Sequence, residues 1–216
     1  MKIVSINVSK KKVVEYKGEL ITTGIFKKPV KGRIFVNRNN LEGDEQADLK
    51  HHGGFDMAVY AFASDHYEYW KRILESSHLP FGAFGENLTV AGLIEEDVFI
   101  GDQFQVGDCL LEVSQPRTPC FKLNMALDND KAVKLFIDHL STGVYFRVLE
   151  EGHIEEGEEL SKVSEVTGSV SVKAMFRALF DKEYTYSKQV LETALQIQAL
   201  SREWQEKSDR RLLRIS

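Results

Sequence analysis

The sequence predicts a mostly β fold, a sandwich or barrel with a few helices, followed by a small three-helix domain. Three observations predict it. Short runs that alternate or are wholly apolar recur through the first 165 residues, separated by Gly-containing turns. Only two stretches in that region carry helical spacing. Residues 166–216 contain no proline, and their apolar residues recur at three- and four-residue intervals. The expected division is therefore residues 1–165 and residues 166–216.

Taken in order, KIVSINVS at the start alternates with period two, as does KGRIFVNR around Arg33 to Val36. MAVYAFAS is a short apolar run that fits a buried strand. SDHYEYWKRILESS opens on Ser64 and Asp65, good N-cap residues, and spaces Tyr69, Ile73 and Leu74 toward one helical face. FIGDQFQVGDCLLEVSQP carries two strands punctuated by Gly-Asp pairs at 101–102 and 107–108. DNDKAVKLFIDHLS places Val133, Phe136, Ile137 and Leu140 at helical spacing. TGVYFRVLEEGHIEEGEEL reads as a strand, a Glu-Gly turn and a short return strand. Beyond Glu165, Ser169 or Ser171, Ser187 and Ser201 are the expected caps of three helices. Met175, Leu179 and Phe180 form one apolar stripe, and Leu191, Leu195 and Leu200 another. The basic end SDRRLLRIS suits a solvated helix C-terminus, where cations complement the helix dipole.

Composition bounds function. The 216 residues are 43% hydrophobic and 28% charged, ordinary for a globular chain with a real core. A formal net charge of −5 argues against a nucleic-acid partner, which needs a basic footprint. No apolar run is long enough to span a bilayer, and the lysine-rich start lacks a signal-peptide pattern, so a cytoplasmic protein with no membrane partner is expected. In that compartment Cys109 and Cys120 are expected to be reduced.

Three stretches carry candidate chemistry. In QPRTPC, Pro116 and Pro119 stiffen the chain around Arg117 and Thr118, while Arg117 and Lys122 put positive charge near Cys120. Such neighbours favour thiolate over thiol, the form that attacks electrophiles or binds soft metals. Cys109, in CLLEV, has no basic neighbour and reads as a packing residue. In DLKHHGGFD, His51 and His52 point to opposite sides of an extended backbone and make a poor chelating pair; Gly53 and Gly54 bare the backbone to an anion, or simply turn it. In FGENLTV, Asn87 and Thr89 can hydrogen-bond a phosphate or a heterocycle edge, or stabilise a turn. GxGxxG, Walker, GxSxG, CxxC and HExxH sequences are absent. A cysteine-nucleophile enzyme would pair Cys120 with His51, His52, His66, His139 or His153.

These stretches occur together and in order: GRIFVNRNNLEGDEQADLKHHGGFDMAVYAF, FGENLTV, IGDQFQVGDCLLEVSQPRTPCFKL and YFRVLEEGHIEEGEEL. The set resembles the MOSC domain, the module named for its place at the C-terminus of molybdenum-cofactor sulfurases, over nearly all of residues 1–165. The remainder is similar to the three-helix domain that follows it in YiiM-like bacterial proteins. The resemblance implies a β-barrel-like fold and binding of the molybdenum cofactor (molybdopterin), with Cys120 as the protein ligand to molybdenum. It implies cofactor contacts at His52, Gly53, Gly54, Asn87, Thr89, Arg117 and Arg147, the two arginines suiting the phosphate; His52 is preferred to His51 because it adjoins the Gly-Gly pair. Pyridoxal phosphate binding enters as a further family expectation. YiiM-like proteins reduce N-hydroxylated compounds such as hydroxylaminopurines and amidoximes, so the implied activity is a molybdenum-dependent N-hydroxylamine reductase. With no flavin fingerprint or cluster-binding cysteine array in the chain, electrons are expected from a separate flavin- or iron–sulfur-containing reductase. The helical domain is its expected dock, or else a cover for the barrel. The alternative is a cofactor- or sulfur-delivery module that uses the same thiolate without turnover.

Overall fold

In the computed structural model of the protein, residues 1–47 and 53–215 are described. In chain order the elements are β1 (Lys2–Val8), β2 (Lys12–Tyr16), β3 (Glu19–Thr23), β4 (Lys28–Val30), β5 (Ile34–Val36), β6 (Val59–Ala63), α1 (Tyr67–Ile73), β7 (Leu88–Ala91), β8 (Gln103–Val106), β9 (Cys109–Pro116), α2 (Phe121–Ala126), α3 (Ala132–His139), β10 (Val144–Glu150), β11 (Gly152–Ile154), β12 (Ser161–Ser164), α4 (Val172–Phe180), α5 (Ser187–Ala194) and α6 (Arg202–Ile215). Eight strands form one curled, half-barrel sheet in the order β12-β8-β9-β10-β6-β7-β1-β4. Its pairs are antiparallel except β6 with β7, whose connection carries α1. The mostly β, barrel-like expectation holds.

The central strand β6 explains why its sequence is apolar without alternation. Val59, Ala61 and Ala63 face the barrel core, while Tyr60 and Phe62 join a second cluster with Trp70, Phe84 and Phe136. A strand covered on both faces needs no polar side. Gly143, at the start of β10, makes the neighbouring approach possible: a Cβ there would lie 2.3 Å from the Ala61 carbonyl oxygen, and its φ is +77°.

The β8–β9 hairpin turns at Gly107-Asp108 as its sequence predicts. Elsewhere the local pattern differs from the structure. Helix α1 buries Tyr67 and Trp70, whereas Ile73 is exposed and Tyr69 half-buried, because the ring cluster beneath it recruits the larger aromatics. Ser64 opens a short 3₁₀ turn, with no side-chain cap on α1. The return strand β11 does not fold back on β10 but pairs with β5. The β2–β3 hairpin stands as its own two-stranded sheet, its Lys17-Gly18 turn at positive φ on both residues.

The three C-terminal helices are as expected. Ser171 caps α4 by accepting from the Ala174 amide at 3.2 Å, and Ser201 accepts from the Trp204 amide at 3.3 Å. Ser187 instead bonds back to the Tyr184 carbonyl. Met175, Phe176, Leu191, Leu200 and Trp204 belong to the same core cluster as the barrel residues, so the composition change near residue 165 divides no hydrophobic core.

Candidate functional site

Strand β9 ends at Pro116, and the chain then runs through Arg117, Thr118 and Pro119 to Cys120, which leads directly into α2. Cys120 is half-buried and forms no disulfide with the buried Cys109. It lines a cavity of about 100 Å³ whose wall also carries Lys27, Asp44, Tyr60, Asn87, Arg117, Lys122 and Tyr145. Cys120 thus borders a cavity whose wall holds three cationic side chains, Lys27, Arg117 and Lys122, together with Asp44 and Glu45.

Arg117 is only 6% exposed. Its Nη1 donates to the Tyr60 hydroxyl at 3.0 Å and to the Phe84 carbonyl, and the guanidinium lies 4.6 Å from the centre of the Tyr60 ring. Burial drives the phenol pKa of Tyr60 far above its ordinary value against the opposing pull of Arg117, and burial raises Tyr145 likewise. Both hydroxyls therefore stay protonated at any physiological pH.

Lys27 and Asp44 form a buried ion pair, their side chains 9% and 3% exposed. Burial lowers the Lys27 pKa despite the Asp44 carboxylate. Asp44 also accepts from the Ser9 amide at 2.8 Å and from Asn87 Nδ2 at 3.0 Å, so the carboxylate is held from several sides. Neither residue was singled out by sequence: FKKPV and LEGDEQ are ordinary polar stretches, and the signal is their meeting in space.

Of the other expected residues, Asn87 lines the cavity, with its Oδ1 accepting from the Tyr60 amide at 3.1 Å. Thr89 lies behind the wall, donating to Glu86 Oε1 at 2.8 Å and accepting from Asn7 Nδ2 at 3.0 Å. Glu86, fully buried, accepts from Tyr67, Gly82, Phe84 and Thr89. Gly53 and Gly54 are not among the residues lining the Cys120 cavity; the Gly54 amide donates to Gln46 Oε1 at 2.9 Å, and Gln46 lines the cavity. His51 and His52 lie outside the described residues.

Arg147, expected to pair with Arg117 at a phosphate, is not among the residues lining the Cys120 cavity. Its guanidinium reaches Asp56 at 2.7 Å, Glu112 at 2.9 Å and the Ala199 carbonyl at 2.8 Å, tying the sheet to the helical segment. Held by two carboxylates and a carbonyl through Nη1 and Nη2, Arg147 acts as a clamp between elements, with Nε left without a partner among the described residues. Lys27, Arg117 and Lys122 are the cations in that cavity's wall.

Among the described residues, no group of three or more His, Cys, Asp or Glu side chains is placed to hold a metal ion alone. A metal at Cys120 would take its remaining ligands from a cofactor. The donor set fits such a group: one soft sulfur, with lysine and arginine nearby for an anionic pterin phosphate. Among the described residues no helix is long and apolar enough to cross a membrane.

Comparison with known proteins bears on the family and the fold. The family model for the MOSC domain matches residues 48–161. The Bacillus subtilis protein YflK is 42% identical over 204 residues, 94% of this chain and 90% of its own. A protein of Gibberella moniliformis named reductase is 40% identical over 147 residues, covering 67% of this chain but 26% of that longer one. The crystal structure of YiiM from Geobacillus stearothermophilus superposes with a TM-score of 0.80 at 34% identity, covering 98% of each chain. None of these names speaks for pyridoxal phosphate.

Proposed function

The chain belongs to the MOSC-domain family, and from that premise we propose that it is a molybdenum-cofactor-dependent oxidoreductase acting on N-hydroxylated compounds of the hydroxylaminopurine or amidoxime type. One observation carries the reading: Cys120, on a stiff loop, opens into a cavity walled by Lys27, Arg117 and Lys122. The fungal relative's name supports reductive chemistry.

In this reading Cys120 Sγ is the single protein ligand to the metal, and Arg117 and Lys122 hold the anionic part of the cofactor. Bound there, the cofactor supplies the two-electron chemistry of N–O cleavage. The balance is R–NHOH + 2 e⁻ + 2 H⁺ → R–NH₂ + H₂O, with electrons from a separate flavin- or iron–sulfur-containing reductase. Lys27 Nζ holds a proton in the cavity wall, and its lowered pKa eases release while Asp44 keeps it in place. Tyr145 keeps its hydroxyl proton and can orient what enters, whereas the Tyr60 hydroxyl donates to the Thr142 carbonyl at 2.8 Å and accepts from Arg117. Asn87 positions the Asp44 carboxylate.

The test is expression in a cofactor-competent host, followed by metal and pterin analysis and turnover with an artificial electron donor. The reading expects stoichiometric molybdenum and loss of an amidoxime in wild type, and no turnover in Cys120→Ser. Bound cofactor without turnover on any N–O substrate would move the assignment to a delivery module; metal-free, colourless protein that still reacts at Cys120 would move it to a cysteine-nucleophile enzyme.

A further inference from the structure

The β2–β3 hairpin is a two-stranded sheet of its own and pairs with no strand of the half-barrel among the described residues. Its two ends meet at Glu45. The Ser9 carbonyl, before β2, accepts from the Glu45 amide at 2.9 Å, and a Cβ on Gly24, directly after β3, would lie 2.3 Å from the Glu45 carbonyl oxygen. Alternation gives the hairpin two faces. Val13 and Leu20 stand exposed on the outer one. Val14, Tyr16, Ile21 and Thr23 share the inner one. Val14, Tyr16 and Ile21 are half-buried, yet belong to neither hydrophobic cluster among the described residues. This inner face starts at the Cys120 cavity, which Thr23, Gly24 and Ile25 line, and runs to the Lys17-Gly18 turn. There it meets the segment that follows the cysteine. The Tyr16 ring lies 6.4 Å, centre to centre, from that of Phe121; the Tyr16 hydroxyl donates to Asp130 Oδ1 at 2.9 Å, and Lys17 Nζ reaches the same oxygen at 2.7 Å.

We propose that the β2–β3 hairpin is a flap, hinged at Glu45 and latched at Asp130, that sets by size which molecules reach Cys120. A segment whose apolar side chains are only partly covered, outside the core, opens locally at small cost. The latch is equally slight. The Lys17 and Asp130 side chains are 61% and 68% exposed, and ion pairs in water contribute little. The latched form is nonetheless restrictive. The cavity measures about 100 Å³, less than the roughly 150 Å³ that takes benzene. The half-buried thiol is therefore open to small reagents and shut to a ligand larger than one ring until the hairpin swings out. Because charge joins the tip to the cysteine segment, ionic strength acts on the gate. The flap serves any chemistry at Cys120 and does not depend on the reductase reading.

The experiment uses the full chain from a host that makes no pterin cofactor and follows alkylation of Cys120 by mass spectrometry. Two reagents share one reacting group: iodoacetamide, which is small, and N-(1-pyrenyl)iodoacetamide, which is bulky and uncharged. Asp130→Ala should raise the pyrenyl rate about fivefold, the scale of an exposed ion pair with its hydrogen bond, and the iodoacetamide rate by less than about twofold. Raising sodium chloride from about 0.05 to about 0.5 M should do the same in wild type and nothing further in Asp130→Ala. Asp138→Ala removes another exposed carboxylate, the one paired with Lys134 on α3, and should leave both rates unchanged. Both aspartates are exposed, so both variants should fold. Equal acceleration of the two reagents would place the change in the thiol rather than in access, and would overturn the flap. So would a pyrenyl rate that neither Asp130→Ala nor salt moves, or one that Asp138→Ala moves as far.

Discussion

Lys207 Nζ, on α6, donates to Thr118 Oγ1 at 2.9 Å, two residues before Cys120 in the chain. The contact makes the last helix a brace for the cysteine loop. The same helix hydrogen-bonds the sheet nearby, since the Ser201 amide donates to the Ser114 carbonyl at 3.1 Å. The brace has a consequence that stability alone does not report. Lys207→Met should cost no more than about 1 kcal/mol, as partly exposed polar contacts generally do. It should nevertheless speed hydrogen exchange in residues 117–120 and alkylation of Cys120 several-fold. Unchanged exchange in that loop would refute the brace.

The Lys27–Asp44 pair predicts an asymmetric mutational response. Asp44→Ala strands a cation whose side chain is only 9% exposed and should destabilise by about 3–5 kcal/mol in urea unfolding. Replacing both partners, Lys27→Met with Asp44→Leu, should recover most of that loss. Equal destabilisation of the single and double variants would show that the pair is not desolvated as described.

His139 sets a pH dependence. It stacks on Tyr69 with ring centroids 4.2 Å apart, and its Nε2 lies 3.4 Å from His66 Nδ1. Burial, then the neighbouring His66 and Lys173, lower its pKa from 6.5 to about 4. The unfolded chain therefore binds the proton more readily, so this contribution is complete above pH 6.5 and is lost as the pH falls toward 4. Partial exposure screens the loss to about 1–2 kcal/mol. Melting temperature followed across that range should fall in wild type and flatten in His139→Gln; identical slopes would remove His139 from the account.

The shared core predicts how the helices unfold. Trp204 on α6 is fully buried and lies 6.4 Å, centre to centre, from Phe176 on α4 within the cluster that includes the sheet residues. Trp204→Ala should cost about 3–5 kcal/mol and lower one cooperative calorimetric transition. A separate early transition confined to the helices would instead make residues 166–216 an independent unit.

The two arginines expected at the phosphate should behave differently. Arg117→Ala should reduce pterin content of protein from a cofactor-competent host, because Arg117 lines the Cys120 cavity. Arg147→Ala should leave pterin bound and mainly loosen the Asp56, Glu112 and Ala199 contacts. The opposite ranking would restore Arg147 to the site.

Much of this was legible where the determinant is local. The β8–β9 hairpin could be read from Gly107-Asp108, β6 from an unbroken apolar run, and two helix caps from Ser171 and Ser201. Cys120 could be singled out because prolines and basic residues adjoin it in the chain. What escaped depends on distant partners. The buried face of α1 is chosen by Phe62, Phe84 and Phe136 from three other segments. Arg147 looked available until Asp56 and Glu112 were seen beside it, and Asp44, 17 positions from Lys27, carries no motif. Glu203 carries no motif, and only the folded chain brings it to a cavity that Cys120 also lines.

Thr118 and Lys207 are 89 residues apart, and translation proceeds at roughly 5–20 residues per second, so the ribosome makes the thiol's loop about 5–20 s before its buttress. For that interval the loop that carries the thiol stands without its hydrogen bond to the last helix.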